Sequence, residues 1–235
     1  MSGHVAANLA SVRRAVAEAA HAARRDPADV RIVAVSKTFG AADVREAIAA
    51  GQRDFGENRV QEGLDKVAGL ADMGVEWHLI GHLQSNKAAK AARAFQWIHS
   101  VDSRELVGRL DRAAADAGVR PQVLVQVDLA HEATKSGADA AIVPDIVQAA
   151  LDSRALELRG LMIVPPLPID PEDSRPWFRQ IRDLRDRLVA LGTPAPRLTQ
   201  LSMGMSHDFP IAIAEGATIV RVGTAIFGRR PDLPA

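Results

Sequence analysis

Eight short apolar runs recur along this chain, each followed by a longer stretch with helical or loop character, and that alternation constrains the fold more than any other feature. The runs lie at 31–36 (RIVAVS), 53–56 (RDFG), 76–81 (EWHLIG), 96–101 (QWIHSV), 122–129 (QVLVQVDL), 157–164 (ELRGLMIV), 197–202 (RLTQLS) and 218–223 (TIVRVG). Continuous β-branched and small apolar residues, as in Ile32, Val33, Ala34 and Val35, are what a strand buried on both faces requires. Strands alternating with amphipathic segments indicate βα units around a parallel sheet. Eight of them predict a single (β/α)8 TIM barrel over residues 30–228, preceded by an amphipathic helix within residues 1–26.

Local signals agree with that count. Asp102 and Ser103 stand where an N-cap belongs, and Gly51, Gly74, Gly118 and Gly192 stand where helices should stop. The proline-rich stretch 163–176 follows the sixth run, which puts it on a barrel rim. The 235 residues match one α/β barrel, and no linker divides them, so one domain spanning 1–235 is expected.

Charge narrows the function. Lys and Arg together number 29, as do Asp and Glu, which leaves no cationic excess for a phosphate backbone, so no nucleic-acid partner is expected. The absence of cysteine excludes disulfides and thiolate chemistry. No apolar span reaches the ~18 residues of a membrane helix, and Arg13, Arg14 and Glu18 interrupt the N-terminal segment, so a cytoplasmic protein without a membrane partner is expected. No long apolar surface stripe calls for a partner subunit, so the expectation is a monomer.

In a barrel, chemistry sits at the C-terminal ends of the strands. Lys37 ends the first run, and by itself it reads as the point where a core strand surfaces. Desolvation by Val33 and Val35 would lower its pKa and free its amine for a carbonyl. After the seventh run come Ser202, Gly204 and Ser206, and after the eighth come Gly223 and Thr224, a composition that suits a phosphate cradle. Arg221 shares a strand face with Gly223 and needs a partner inside the barrel, for which the ring nitrogen of a bound heterocycle is a candidate. An imine-forming lysine, a phosphate cradle and a charged group for a pyridine nitrogen are together the requirements of pyridoxal 5′-phosphate (PLP).

The segments AVSKTFG, DFGENRVQE, WHLIGHLQSNK, GLMIVPP, LSMGMSHDF and ATIVRVGTAIFG resemble the signature stretches of the YggS/PROSC family of PLP homeostasis proteins. That resemblance implies a barrel similar to the N-terminal domain of bacterial alanine racemase, with PLP held as a Schiff base on Lys37. It further implies that Ser202, Gly223 and Thr224 bind phosphate, that Arg221 faces the pyridine nitrogen, and that Asn58, His82 and Met162 lie at the pocket. Pro210 and Asp128 depart from the family pattern; Pro210 suits a first helical turn.

The racemase mechanism, as the resemblance implies it, needs a tyrosine from a second domain. This chain has no tyrosine, and its length leaves none for such a domain, so no racemase activity is expected. An arginine at the ring nitrogen also weakens the cofactor as an electron sink. The expectation is therefore a PLP carrier acting in homeostasis and meeting apo-enzymes transiently. Two alternatives stand beside it: a weak PLP-dependent racemase or lyase using His82 or His207 as second base, and a PLP-independent aldolase built on the strand-end lysine. His78, His82 and His99 raise the question of a metal. A strand offers no shared geometry at that spacing and no neighbouring carboxylate completes a set, so no metal is expected. Lys87, on a solvated helix face, could steer anions toward the pocket.

Overall fold

Strands buried on both faces need a partner layer on each side, and the chain satisfies that need by closing its sheet. The computed structural model describes residues 4–130 and 136–229. Its strands are β1 (Arg31–Val35), β2 (Asp54–Glu57), β3 (Glu76–Leu79), β4 (Trp97–Val101), β5 (Gln122–Asp128), β6 (Ala138–Asp139), β7 (Glu157–Ile163), β8 (Gln200–Ser202) and β9 (Ile219–Val222). All pairings are parallel: β1 to β4 in succession, then β5, β7, β8 and β9, with β9 returning to β1. This is the expected TIM barrel, each stave within three residues of its predicted limits. The short β6 is an addition that the eight-strand count lacks; it pairs with β5 outside the closed ring.

Alternation along the strands divides two cores. Val33, Trp97, Leu124, Met162 and Ile219 form a small cluster inside the barrel. A much larger cluster, including Phe55, Leu79, Ile98, Val123 and Val125, fills the layer between staves and helices. The helices are α1 (His4–Ala22), α2 (Ala41–Ala49), α3 (Val60–Gly69), α4 (Ala88–Ala94), α5 (Arg104–Ala117), α6 (Val143–Leu151), α7 (Arg175–Ala190), α8 (Phe209–Ala214) and α9 (Thr224–Phe227). The predicted N-terminal helix is α1, which buries Val5, Leu9, Val12, Val16 and Ala20 at three- and four-residue spacing against α2, α8 and α9.

End signals are realised as read. The Ser103 hydroxyl accepts the Leu106 N–H at 3.2 Å and caps α5, while Asp102 turns instead toward His82. Gly118 ends α5 at φ 66°, in the left-handed region open to glycine. Pro210 sits in the first turn of α8. Among the described residues no helix is long and apolar enough to cross a membrane.

Candidate functional site

The backbone leaves β1 through Ser36 and Lys37 and reverses at Thr38, whose φ of 70° is unusual for a β-branched residue. Both neighbours of Lys37 are held by one buried cluster. Lys66, on α3, donates from Nζ to the Ser36 carbonyl at 2.7 Å, to Glu57 Oε1 at 2.6 Å and to Glu62 Oε1 at 3.0 Å. Glu62 Oε1 in turn accepts the Thr38 N–H at 2.6 Å, and the Ser36 hydroxyl donates to Glu57 Oε1 at 2.6 Å. Strain at Thr38 persists because these bonds over-determine the turn. Burial pushes the Glu57 carboxyl up, against the hydrogen bonds from Lys66 and Ser36. Burial also opposes ionisation of Glu62, but the Thr38 N–H and Lys66 outweigh it and hold that carboxyl below its usual range.

The second element of the site faces this turn from β9. Ser206 Oγ accepts the N–H groups of Gly223 at 3.3 Å and Ala225 at 3.4 Å, at the start of α9. Gly223 packs on β1 so closely that an added Cβ would stand 3.3 Å from the Val35 carbonyl oxygen. Phe39, just past Lys37, stacks on Phe227 of α9 with ring centroids 5.1 Å apart. The lysine turn and the amide-rich turn are thus neighbours on adjacent staves. The loop carrying Ser206 is fixed by buried Asp208, whose carboxylate accepts the Met205 N–H at 2.7 Å and the Ser174 hydroxyl at 2.8 Å.

Other expected residues separate into two groups. Asn58 and His82 border one open cleft of about 340 Å³ with Arg59, Gln61, Gln84 and Lys87. Here the loops after β2 and β3 touch: a Cβ on Gly81 would lie 2.2 Å from the Asn58 carbonyl oxygen. His82 is half exposed, with Asp102 at 3.5 Å. Met162, Ser202 and Arg221 instead lie buried within the barrel, Met162 and Ser202 in register on neighbouring strands. The side chain at the Gly223 and Ala225 amides is therefore that of Ser206, while Ser202 Oγ is bonded to Arg221 Nη1 at 2.7 Å and His99 Nδ1 at 2.9 Å.

Arg221 is anchored a second time by the Ile163 carbonyl, 2.8 Å from Nη2. Burial lowers its pKa to about 10, opposed by Asp208, so the guanidinium stays charged at neutral pH. Below it, His99 Nε2 lies 3.0 Å from His78 Nδ1, and His78 Nε2 lies 3.1 Å from Asp54 Oδ1. Contrary to the expectation from sequence, carboxylates do neighbour His78: Asp54, Glu76 and His78 bring three possible metal-ligand atoms within 4.8 Å of one another. Register on adjacent strands, invisible to local spacing, makes that cluster. A cation already sits among them, because Arg31 Nη1 is 3.0 Å from both Asp54 and Glu76. His82 lies on the rim and shares no geometry with His78.

Sequence reasoning placed Ser206 in the phosphate cradle but missed Glu57, Glu62 and Lys66 as site-building residues. A signal existed for two of them: Glu62 and Lys66 are four apart on α3, and Lys66 falls on its buried stripe with Val60 and Gly63.

Comparison with known proteins agrees with this architecture. Residues 7–231 match the alanine racemase N-terminal domain family. Over 228 residues the chain is 47% identical to the pyridoxal phosphate homeostasis protein of Pseudomonas aeruginosa, with 96% of each chain covered. The chain belongs to the pyridoxal phosphate homeostasis protein family. The Escherichia coli K12 member is 42% identical over 232 residues, covering 96% of this chain and 97% of that one. Among solved structures, PipY of Synechococcus elongatus with PLP bound superposes with a TM-score of 0.84 at 45% identity, covering 95% of this chain and all of that one. The family resemblance carried by the six quoted segments is borne out.

Proposed function

We propose that this chain binds PLP reversibly through Lys37, within one barrel unit, and serves PLP homeostasis in the cytoplasm as a holder of the cofactor. The observation that carries the reading is the adjacency of two turns: the Lys37 turn after β1, and the Gly223 turn after β9 with its converging N–H groups. The donor set fits the group, since amide and hydroxyl donors suit a phosphate and a strand-end primary amine suits an aldehyde. When bound, PLP supplies an aldehyde that condenses reversibly with an amine, releasing water.

The chain's residues divide that work. Lys66, Glu57 and Glu62 fix the backbone on both sides of Lys37, which leaves the amine on a rigid base. Ser206, Gly223 and Thr224 form the phosphate end. Arg221 uses two N–H groups inside the barrel and, being charged, offers a ring nitrogen a donor while disfavouring its protonation. Asn58 and His82 border the open side, where Arg59 and Lys87 attract an anionic ligand. With no tyrosine in the chain, the racemase pair of bases is not assembled, and holding and releasing the cofactor is the activity these groups support.

Equilibrium dialysis of the apo-protein tests both anchors. Wild type should retain PLP, while Lys37→Ala should bind it at least about tenfold more weakly, a difference of ~1.4 kcal/mol. Pyridoxal, which lacks the phosphate, should bind wild type more weakly than PLP. Equal retention of PLP by both proteins would end the proposal.

A further inference from the structure

Five polar side chains line up through the inside of the barrel. In order they are Arg221, Ser202, His99, His78 and Asp54, joined by contacts of 2.7, 2.9, 3.0 and 3.1 Å. We infer that this line is a one-way hydrogen-bond chain that holds Arg221 in place, and that His99 is a positioning residue of the site. The role rests on the PLP reading above; the direction of the chain does not.

The direction follows from its two ends. A guanidinium only donates and a carboxylate only accepts. Asp54 therefore requires a proton on His78 Nε2. A neutral His78 is then bare at Nδ1 and requires a proton on His99 Nε2. A neutral His99 is bare at Nδ1 and accepts the Ser202 hydroxyl proton, which leaves the Ser202 oxygen to receive Arg221 Nη1–H. The reverse arrangement would set the lone pair of a neutral His78 against the Asp54 carboxylate. Both histidines and Ser202 are fully buried, so a broken link would leave an unpaired polar atom without water. Burial disfavours the charged form of each histidine, aided at His99 by the nearby positive charges of Arg221 and Arg31, and opposed at His78 by Asp54.

The chain explains how Arg221 keeps its place with no carboxylate bonded to it among the described residues. Its two anchors are neutral oxygens, Ser202 Oγ and the Ile163 carbonyl. Because His99 takes the Ser202 proton, the hydroxyl presents a lone pair, not a hydrogen, to Arg221. The Ser202 side chain thus acts as an acceptor for Arg221, and the phosphate role implied by resemblance passes at this position to Ser206. At the far end, Asp54 also receives Arg31, so the N-terminal mouth of the barrel is tied to the cofactor end by continuous hydrogen bonds.

Nitrogen-15 NMR of the full-length apo-protein at neutral pH reads the chain without any cofactor. The expected result is a proton on Nε2 of both His78 and His99, with bare Nδ1 atoms. In Asp54→Ala, His78 should lose its single tautomer. A proton on Nδ1 of either histidine in wild type, or an unchanged spectrum in Asp54→Ala, would overturn the chain while leaving the PLP reading intact. The positioning role is read in PLP-loaded protein. His99→Phe should weaken PLP about tenfold, the lower end of what losing a partner that orients a metal ligand costs, and should shift the visible absorption band. His99→Asn, whose Oδ1 takes the place of Nδ1, should restore both. Equal affinity and equal spectra in all three proteins would overturn it. If His99→Phe does not fold, Ser206→Ala against Ser202→Ala decides: only Ser206→Ala should narrow the preference for PLP over pyridoxal, and the opposite pattern would overturn the assignment.

Discussion

Lys66 reaches back thirty residues to the carbonyl oxygen of Ser36, 2.7 Å away, from a position where its side chain is 8% exposed. The ammonium is also the partner of Glu57, which is fully buried. Removing one member of such a pair strands the other in a low-dielectric site, at a cost of about 3–5 kcal/mol. Lys66→Met should lower stability on that scale. Adding Glu57→Gln should recover at least ~1 kcal/mol, because a neutral amide no longer needs the cation. Urea denaturation of the two single variants and the double variant measures the coupling; strictly additive losses would show that the pair does not act as a unit.

The two buried histidines give stability a definite pH slope. Burial holds His99 well below its ordinary pKa of 6.5 and His78 below it as well. The unfolded chain therefore binds more protons, so the stability these groups contribute is complete above 6.5 and is lost as pH falls below it. The loss sets in between pH 6.5 and 5.5 for both, and His99, held furthest below its ordinary value, contributes more of it. Urea midpoints should fall less steeply over that range in His99→Asn than in wild type, and parallel curves would contradict the assignment.

Glycine is required at 204 for two reasons. Its φ is +90°, and a Cβ would lie 2.5 Å from the Ala212 Cβ and 3.0 Å from Phe209 Cα. Gly204→Ala should cost about 1–3 kcal/mol through strain and overpacking. Gly223→Ala meets nothing closer than 3.3 Å and should cost less. Thermal denaturation ranks the two, and the reverse order would contradict this reading of the loop.

What the sequence revealed, and what it hid, divides along physical lines. Strands covered on both faces must be continuously apolar, so all eight staves were visible as runs, and Lys37 stood out as an ammonium at the end of one. The two residues of β6 are too few to carry a period, and Ala138 and Asp139 look like any polar loop. His78 and His99 raise the question of a metal, which the sequence answers in the negative because spacing alone cannot say what a strand residue faces. Their neighbours Asp54, Ser202 and Arg221 are set by the register around a closed ladder, a property of the whole barrel. Lys66 carries no motif of its own, and only its place on the buried stripe of α3 with Val60 and Gly63 marks it as paired. Ser202 ends β8 and Ser206 stands four residues on in the loop that follows, and only the path of the chain shows that the first turns inward and the second toward Gly223.

The central claim is that Lys37 is the amine that captures the cofactor. Purified protein incubated with PLP, reduced with borohydride and mapped by peptide mass spectrometry tests it directly. The account predicts one phosphopyridoxyl adduct, on Lys37, lost in Lys37→Ala. An adduct distributed over surface lysines, or one that persists in Lys37→Ala, would contradict it.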